Sequence, residues 1–239
     1  MLVQAALERG DDVGLKGRSL RVINDEIGRL EESIQAFLDF ARPPVPEKTS
    51  VDVNNVVQQV FDLVNGRANQ QDVAIRLNLP LSHVVAVVDR TQIRHLILNL
   101  LLNALDALPN GGVIDVRIES DLPAPLAPVT AAHSDQPSDI NEHDALRLSS
   151  SRRVTTPVRS TPWFAIHFAD NGTGIPPELL DTLFEPFVTT KETGTGLGLS
   201  ICQRIASAHG GTLTVRNRKR GGAEFILSLP INPMNHVSV

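Results

Sequence analysis

The sequence predicts an α+β protein whose main part is a two-layer α/β sandwich, preceded by a partial helical hairpin. Two observations lead to this class. Apolar residues at heptad spacing run up to a cluster of prolines at residues 43–46, which is typical of a helix with a partner helix. Beyond the prolines, helical and strand patterns follow one another without regular alternation, which favours one mixed sheet with helices on one face.

The first segment, residues 1–46, is interpreted as the closing part of an antiparallel hairpin. Its apolar positions are spaced alternately by three and four residues, and glycines at 10, 14 and 17 mark a loop before them. A lone amphipathic helix packed on the downstream domain is the alternative. The seam consists of Leu20, Ile23, Ile27, Leu30, Ile34, Phe37 and Ala41.

Residues 47–232 form the predicted main domain, and residues 233–239 form a tail. Asp89 is expected to cap the domain's second helix, which prolines and glycines at 109–112 should end. The periodicities predict helices at 54–65, 91–108 and 197–208, and strands at 51–53, 73–79, 83–88, 113–119, 163–169, 212–216 and 223–229.

Residues 121–162 interrupt this domain between two predicted strands. Prolines, serines, threonines and scattered charges dominate the segment. Such a composition buries too little apolar surface to offset the entropy lost on ordering. We therefore expect a disordered insertion.

The bulk composition excludes several classes of function. A net charge of -5 lacks the basic excess that binds nucleic acid. The longest apolar run, residues 96–108, contains Asn99, Asn103 and Asp106 and is shorter than a membrane span of about 20 residues. The single cysteine, Cys202, is expected to be a small buried hydrophobe. We expect a cytoplasmic location.

The first of four motifs with candidate chemistry lies on the second helix. Asn99 and Asn103 are four residues apart, so both carboxamides leave the helix on one face. An amide oxygen is a hard ligand that suits Mg²⁺. Hydrogen bonding to backbone groups is the alternative role for such a pair.

The second motif, residues 170–176, directly follows a predicted strand. The Asp170 carboxylate can accept a hydrogen bond from an exocyclic amine. Gly172 and Gly174 would let the backbone approach a flat base closely. An ordinary turn at the end of a strand is the alternative.

The third and fourth motifs follow within thirty residues. Phe184-Glu185-Pro186-Phe187 precedes Thr190 and Lys191, whose hydroxyl and ammonium groups are donors for phosphate oxygens. Residues 194–200 open the third helix with three glycines, whose amides suit anions and whose flexibility suits a hinge. The fourth motif lacks the Lys-Ser/Thr ending of a P-loop and therefore does not match one. An ordinary apolar loop is the alternative for the third.

In this order, the four motifs resemble the N, G1, F and G2 boxes of histidine kinases, within the larger family of ATPases that includes Hsp90 and MutL. The resemblance covers about residues 51–230 apart from the insertion, and it implies a Bergerat-type fold that binds ATP and Mg²⁺. It implies that Asn103 coordinates Mg²⁺, that Asn99 supports the triphosphate side, and that Asp170 binds the adenine amine. The other implied positions are Gly172 and Gly174 at the base, Thr190 and Lys191 in an ATP lid, Gly194, Gly196, Leu197 and Gly198 where the lid hinges, and Phe184 and Phe187 as anchors of its base.

No catalytic residue is identified, because the acceptor histidine of the family is missing. Family members carry it early in the first hairpin helix, followed by an acidic residue and soon by Asn-Pro or Arg-Pro. None of the seven histidines has that context. We expect the chain to begin near the end of the first hairpin helix, with the acceptor upstream of Met1.

The resemblance therefore predicts the ATP-binding catalytic portion of a two-component sensor histidine kinase, which transfers the γ-phosphoryl group to a histidine outside this chain. It implies a response regulator receiver domain as partner and a homodimer formed through the intact hairpin. An ATPase of the Hsp90 or MutL kind is disfavoured, because Asn99 stands where those proteins carry a water-activating glutamate. A non-catalytic nucleotide-binding or dimerisation module stays open.

Overall fold

The structure, a computed structural model, describes residues 45–123, 161–191 and 194–231, together with helical residues 23–24 and 27–28. Most of the predicted hairpin, most of the predicted insertion and the whole predicted tail therefore lie outside the described residues. Two seam positions are described: Ile23 and Ile27 expose 49% and 43% of their surface. None of the described helices is long and apolar enough to cross a membrane.

The described part of the main domain is a two-layer arrangement of three helices on a five-stranded sheet, as predicted. A short 3₁₀ turn at Pro177–Leu179 was not predicted. In chain order the elements are β1 (Thr49–Asp52), α1 (Val53–Gln70), β2 (Val73–Asn78), β3 (Val85–Val88), α2 (Arg90–Asp106), β4 (Gly112–Leu122), β5 (Trp163–Asp170), α3 (Gly198–Ala208), β6 (Thr212–Asn217) and β7 (Ala223–Pro230).

The strands form two sheets, so the prediction of a single sheet was wrong. The larger sheet has the order β2-β4-β5-β7-β6, in which only β2 and β4 are parallel neighbours. β1 and β3 pair separately and antiparallel. Each of these short strands runs directly into a helix, through the capping residues Asp52 and Asp89. The pair therefore lies at the N-terminal ends of α1 and α2.

Three predicted boundaries were also wrong. α1 continues to Gln70 because its buried stripe extends through Val64 and Ala68. β4 reaches Leu122, which pairs with Trp163, so the first two residues of the predicted insertion belong to the sheet. His83 precedes β3 instead of lying in it, and its Nδ1 is 2.6 Å from Asp52 Oδ2.

The packing of β5 against the helices determines which side of the sheet Asp170 faces. Phe164, Ile166 and Phe168 of β5 are almost fully buried on the helix side of the sheet. Because side chains alternate along a strand, Asp170 points to that same side. Cys202 of α3 is buried there as predicted, and burial raises the pKa of its thiol to about 12.

Candidate functional site

Two adjoining cavities lie between α2, the end of β5 and the segments that lead to α3. The first has a volume of about 450 Å³, within the range of small-molecule sites, and the second has a volume of about 240 Å³. Asn103, Thr190 and Lys191 contribute to the walls of both. Asp170 and Gly174 line the first cavity, and Gly194, Gly196 and Gly198 line the second. The four motifs therefore meet at one site.

Asp170 presents one carboxylate oxygen to the protein and the other to the first cavity. The residue is 3% exposed. Its Oδ1 accepts hydrogen bonds from the amides of Gly172 at 2.8 Å and Ala223 at 3.2 Å. Within the described part of the chain, Oδ2 has no hydrogen bond. Because Oδ1 is fixed by two amides, Oδ2 is positioned to accept a hydrogen bond from a donor group of a ligand.

The turn after Asp170 is held by two residues that the sequence analysis missed. Asn217 accepts a hydrogen bond from the Ile175 amide at 2.8 Å and donates to the Ile175 carbonyl at 2.6 Å. Arg218 donates to the Asp170 carbonyl at 2.7 Å. Asn217 ends β6 and Arg218 follows it, more than forty residues downstream of their partners, so no local sequence signal links them to the site.

The two glycines of this turn are required for different structural reasons. Gly174 has a φ of 78°, which favours glycine, and it lines the first cavity. Gly172 is not among the residues of either cavity. A Cβ at Gly172 would lie 2.7 Å from the Ala107 carbonyl oxygen, so this glycine permits close packing of the turn against the end of α2.

The two asparagines on α2 form a short hydrogen-bonded chain. Asn103 donates through Nδ2 to Asn99 Oδ1 at 3.0 Å, which leaves the Asn103 Oδ1 atom for the cavity. That oxygen accepts a hydrogen bond from Lys191 Nζ at 2.7 Å. Asn99 lines neither cavity. It packs against the backbone of Gly198, where an added Cβ would lie 2.8 Å from Asn99 Nδ2. Asn99 therefore orients the carboxamide of Asn103.

The aromatic motif is joined to the glycine-rich motif through backbone contacts. Phe184 packs against the core, but Phe187 is 62% exposed, so the expectation that both rings act as anchors is wrong for Phe187. Phe187 has a φ of 68°, and its amide donates to the Gly196 carbonyl at 3.0 Å. A Cβ at Gly196 would lie only 2.4 Å from the Phe187 carbonyl carbon. These backbones tie the third motif to the fourth.

The glycine-rich motif opens α3 without a side-chain cap. Leu197 occupies the N-cap position, is 2% exposed and lines neither cavity. Gly198 and Leu199, the first residues of the helix, line the second cavity. Uncapped amides at a helix N-terminus bind anionic oxygens. This side of the site is therefore suited to phosphate groups.

Asp89 and His209 connect the N-terminal end of α2 to the C-terminal end of α3, at the opposite ends of these helices from the site. Asp89 accepts backbone hydrogen bonds from Glu47, Thr91 and Gln92. Burial alone would raise the pKa of Asp89, but these hydrogen bonds hold it below its ordinary value. The Asp89 amide donates to His209 Nε2 at 2.9 Å. Burial lowers the pKa of His209, which suits a ring nitrogen that must accept.

A third cavity, of about 490 Å³, lies between α2 and α3 near the start of the domain. Its lining is mostly apolar, with Val45, Ile201 and Ile205 among the walls. None of the four motifs contributes a side chain to its described walls. It therefore offers no comparable chemistry.

Comparison with known families assigns the chain. The profile of the family described as histidine kinase-, DNA gyrase B- and HSP90-like ATPases matches residues 88–233. This range covers more than half of the chain and contains all four motifs. The chain therefore belongs to this family of ATPases.

Similar proteins place the domain among those of two-component sensor kinases. The histidine-protein kinase AtoS of Escherichia coli K12 is 32% identical over 222 residues, which cover 92% of this chain and 30% of AtoS. The sensor histidine kinase ZraS of the same strain is 29% identical over 227 residues, which cover 94% of this chain and 40% of ZraS. The chain thus spans less than half the length of these relatives. It carries a histidine kinase ATPase domain homologous to theirs.

Solved structures confirm the fold. A nucleotide-free catalytic domain of the histidine kinase ThkA is 26% identical, with a TM-score of 0.58, and the match covers 78% of this chain and 99% of that domain. ThkA in complex with the response regulator TrrA matches at 23% identity with a TM-score of 0.65, over 98% of this chain and 58% of ThkA. The latter likeness concerns the fold alone.

Proposed function

We propose that this chain binds Mg-ATP and is the catalytic portion of a two-component sensor histidine kinase, which transfers the γ-phosphoryl group to a histidine outside the chain. One observation carries the proposal: four separated motifs line adjoining cavities that offer a carboxylate oxygen, an amide oxygen, an ammonium group and a helix N-terminus. Membership of an ATPase family and homology to sensor kinases support it.

Each part of the site suits one part of the nucleotide. Asp170 Oδ2 accepts the adenine amine, while Thr190, Lys191 and the first amides of α3 meet the phosphate oxygens. Asn103 Oδ1 is a hard oxygen at the cavity wall and therefore fits Mg²⁺. When bound, Mg²⁺ would share the phosphates with Asn103 and neutralise part of their charge.

The described histidines support an acceptor outside the chain. His209 is hydrogen-bonded at the end of α3, His83 contacts the cap of α1, and His167 lies between charged residues on the far face of the sheet. His95 lines the apolar third cavity. None of these four residues lines the nucleotide site.

The proposed partners follow from the relatives. ThkA, whose catalytic domain matches this chain at 26% identity, is a histidine kinase that forms a complex with the response regulator TrrA, and we propose by analogy a receiver domain as the next phosphoryl acceptor. We propose dimerisation through an intact hairpin and a cytoplasmic location. A water-activating ATPase is less well supported, because the amide of Asn99 cannot serve as a general base.

Calorimetric titration of the whole chain with ATP and GTP, each with and without Mg²⁺, tests the nucleotide part. We expect Mg²⁺ to strengthen ATP binding. ATP should bind more tightly than GTP, because guanine presents a carbonyl where adenine presents its amine and would leave Asp170 facing an acceptor. Absence of binding, or equal affinity for both nucleotides, would contradict the proposal.

A further inference from the structure

We propose that Asp106 is a further positioning residue of this site. Together with Asn103 it holds the Lys191 ammonium group, so that Lys191 and Mg²⁺ compete for the Asn103 carboxamide oxygen. This inference rests on the proposed function and deepens it, because it makes Asp106 the residue that couples nucleotide binding to the metal ion.

The distances place two oxygens around one cation. Lys191 Nζ is 2.7 Å from Asn103 Oδ1 and 2.6 Å from Asp106 Oδ2. An amide oxygen and a carboxylate oxygen that converge on one point form a cradle for a positive charge. In this structure the ammonium group of Lys191 fills the cradle.

The helix explains why these groups converge. Asn99, Asn103 and Asp106 are spaced by four and three residues, so they lie on one stripe of α2. Asn99 fixes the carboxamide of Asn103 at one end of the stripe. At the other end, Arg67 of α1 donates to Asp106 Oδ1 at 2.6 Å, which turns Oδ2 towards Lys191.

The charges explain the proposed competition. A Mg²⁺ ion bound to Asn103 Oδ1 would take one of the two acceptors of Lys191 and repel its ammonium group. Lys191 is then free to meet the phosphates. Without Mg²⁺, Asp106 retains Lys191 and also repels the triphosphate. Asp106 therefore makes ATP binding more dependent on Mg²⁺ than it would be without this carboxylate.

The expected effect is modest because the pair is partly exposed. The side chains of Asp106 and Lys191 expose 30% and 43% of their surface, so solvent and salt screen their attraction. In Asp106→Asn, the ratio of the Kd for ATP without Mg²⁺ to the Kd with Mg²⁺ should fall by about two- to fivefold. Most of that change should be tighter binding without Mg²⁺.

A double-mutant cycle on the whole chain tests the coupling. ATP is titrated with and without Mg²⁺ into the wild type, Asp106→Asn, Lys191→Met and the double mutant. The effect of Asp106→Asn on the ratio should be smaller in the Lys191→Met background, where only the direct repulsion between Asp106 and the triphosphate remains. Asp115→Asn is the matched control, because it removes the same charge from β4 at a position outside the cavities. Adenosine affinity should be the same in all variants.

A second readout does not depend on changing Asp106. At a fixed ATP concentration, the Mg²⁺ concentration that gives half-maximal binding should be lower in Lys191→Met than in the wild type, because the competitor is gone. An unchanged or higher value would overturn the competition, as would an equal effect of Asp106→Asn in both backgrounds. If the wild type binds no ATP, the proposed function itself fails. If the wild type binds ATP but Asp106→Asn leaves the ratio of the Kd without Mg²⁺ to the Kd with Mg²⁺ unaltered, only this inference is refuted.

Discussion

At the scale of single residues, the two carboxylate oxygens of Asp170 have different roles. Oδ1 holds the protein backbone, and Oδ2 is left to bind a ligand. Asp170→Asn keeps an acceptor for the amides of Gly172 and Ala223 and places a donor where Oδ2 faces the cavity. We expect a nearly unchanged melting temperature but a loss of about 1–3 kcal/mol in ATP binding, because the adenine amine would meet another donor. Calorimetric titration measures this loss. Unchanged affinity would show that Asp170 does not face the base.

His209 makes the fold sensitive to pH near neutrality. Its Nε2 accepts from the Asp89 amide and its Nδ1 lies 2.8 Å from the Ile205 carbonyl, so the buried ring serves in its neutral form. Burial lowers the pKa of His209 below its ordinary value of about 6.5. The unfolded chain therefore binds the proton first, and stability should fall as the pH drops below about 6.5.

The matched variant for this prediction is His209→Gln, which does not titrate. Thermal melts between about pH 7.5 and 5.5 should show a steeper loss of melting temperature in the wild type than in the variant. The lowered pKa of Asp89 acts at lower pH, where its protonation removes further stability. Equal pH slopes for both proteins would rule out His209 as the source.

At the scale of elements, the left-handed Gly196 joins the third motif to the glycine-rich start of α3. In Gly196→Ala, the new methyl group would overlap the backbone of Phe187. Such overpacking costs about 1–3 kcal/mol. If the third motif then separates from the start of α3, ATP affinity should fall by roughly 5- to 150-fold. Titration with Mg-ATP measures the change.

Gly210→Ala is the control that separates the cost of a left-handed backbone conformation from the cost of a steric overlap. Gly210 has a φ of 73°, close to the 67° of Gly196, but the nearest atom to its Cβ position is 3.9 Å away. The variant should lose about 1–2 kcal/mol of stability and retain its ATP affinity. Equal effects of both substitutions on ATP binding would show that the contact with Phe187 is unimportant.

Elements with local signals were the predictable part of the fold. The cap Asp89 and the stripe of α2 depend on residues within one or two turns, and α2 was predicted to within two residues of its observed ends. The separate pairing of β1 with β3 was not predictable, because it joins residues that are more than thirty positions apart, from Asp52–Val85 to Thr49–Val88. The end of β4 was missed for the same reason, since its partner Trp163 follows the insertion.

At the scale of the whole molecule, the site is an assembly of four segments on one two-layer fold. The sequence order of the motifs indicated which residues belong together, and Asp170, Asn103 and Lys191 do meet at adjoining cavities. The supporting contacts of Arg67, Asp106, Asn217 and Arg218 depend on tertiary packing, which no motif encodes.

The central claim is that this site transfers a phosphoryl group to a histidine that the chain does not itself provide. In-line transfer requires the nucleophile to be positioned at the γ-phosphate. Incubation of the chain with γ-labelled ATP and a separately supplied hairpin that carries an acceptor histidine tests this most directly. Asn103→Ala, which removes the proposed Mg²⁺ ligand, serves as the control.

We expect no label on the chain alone and weak, acid-labile label on the supplied hairpin, because the high local concentration of a covalently linked acceptor is lost. The Asn103→Ala chain should leave the hairpin unlabelled. Acid-labile phosphate on the chain alone would contradict an acceptor outside the chain, and full labelling of the hairpin by the Asn103→Ala chain would contradict the role of Asn103 as the Mg²⁺ ligand.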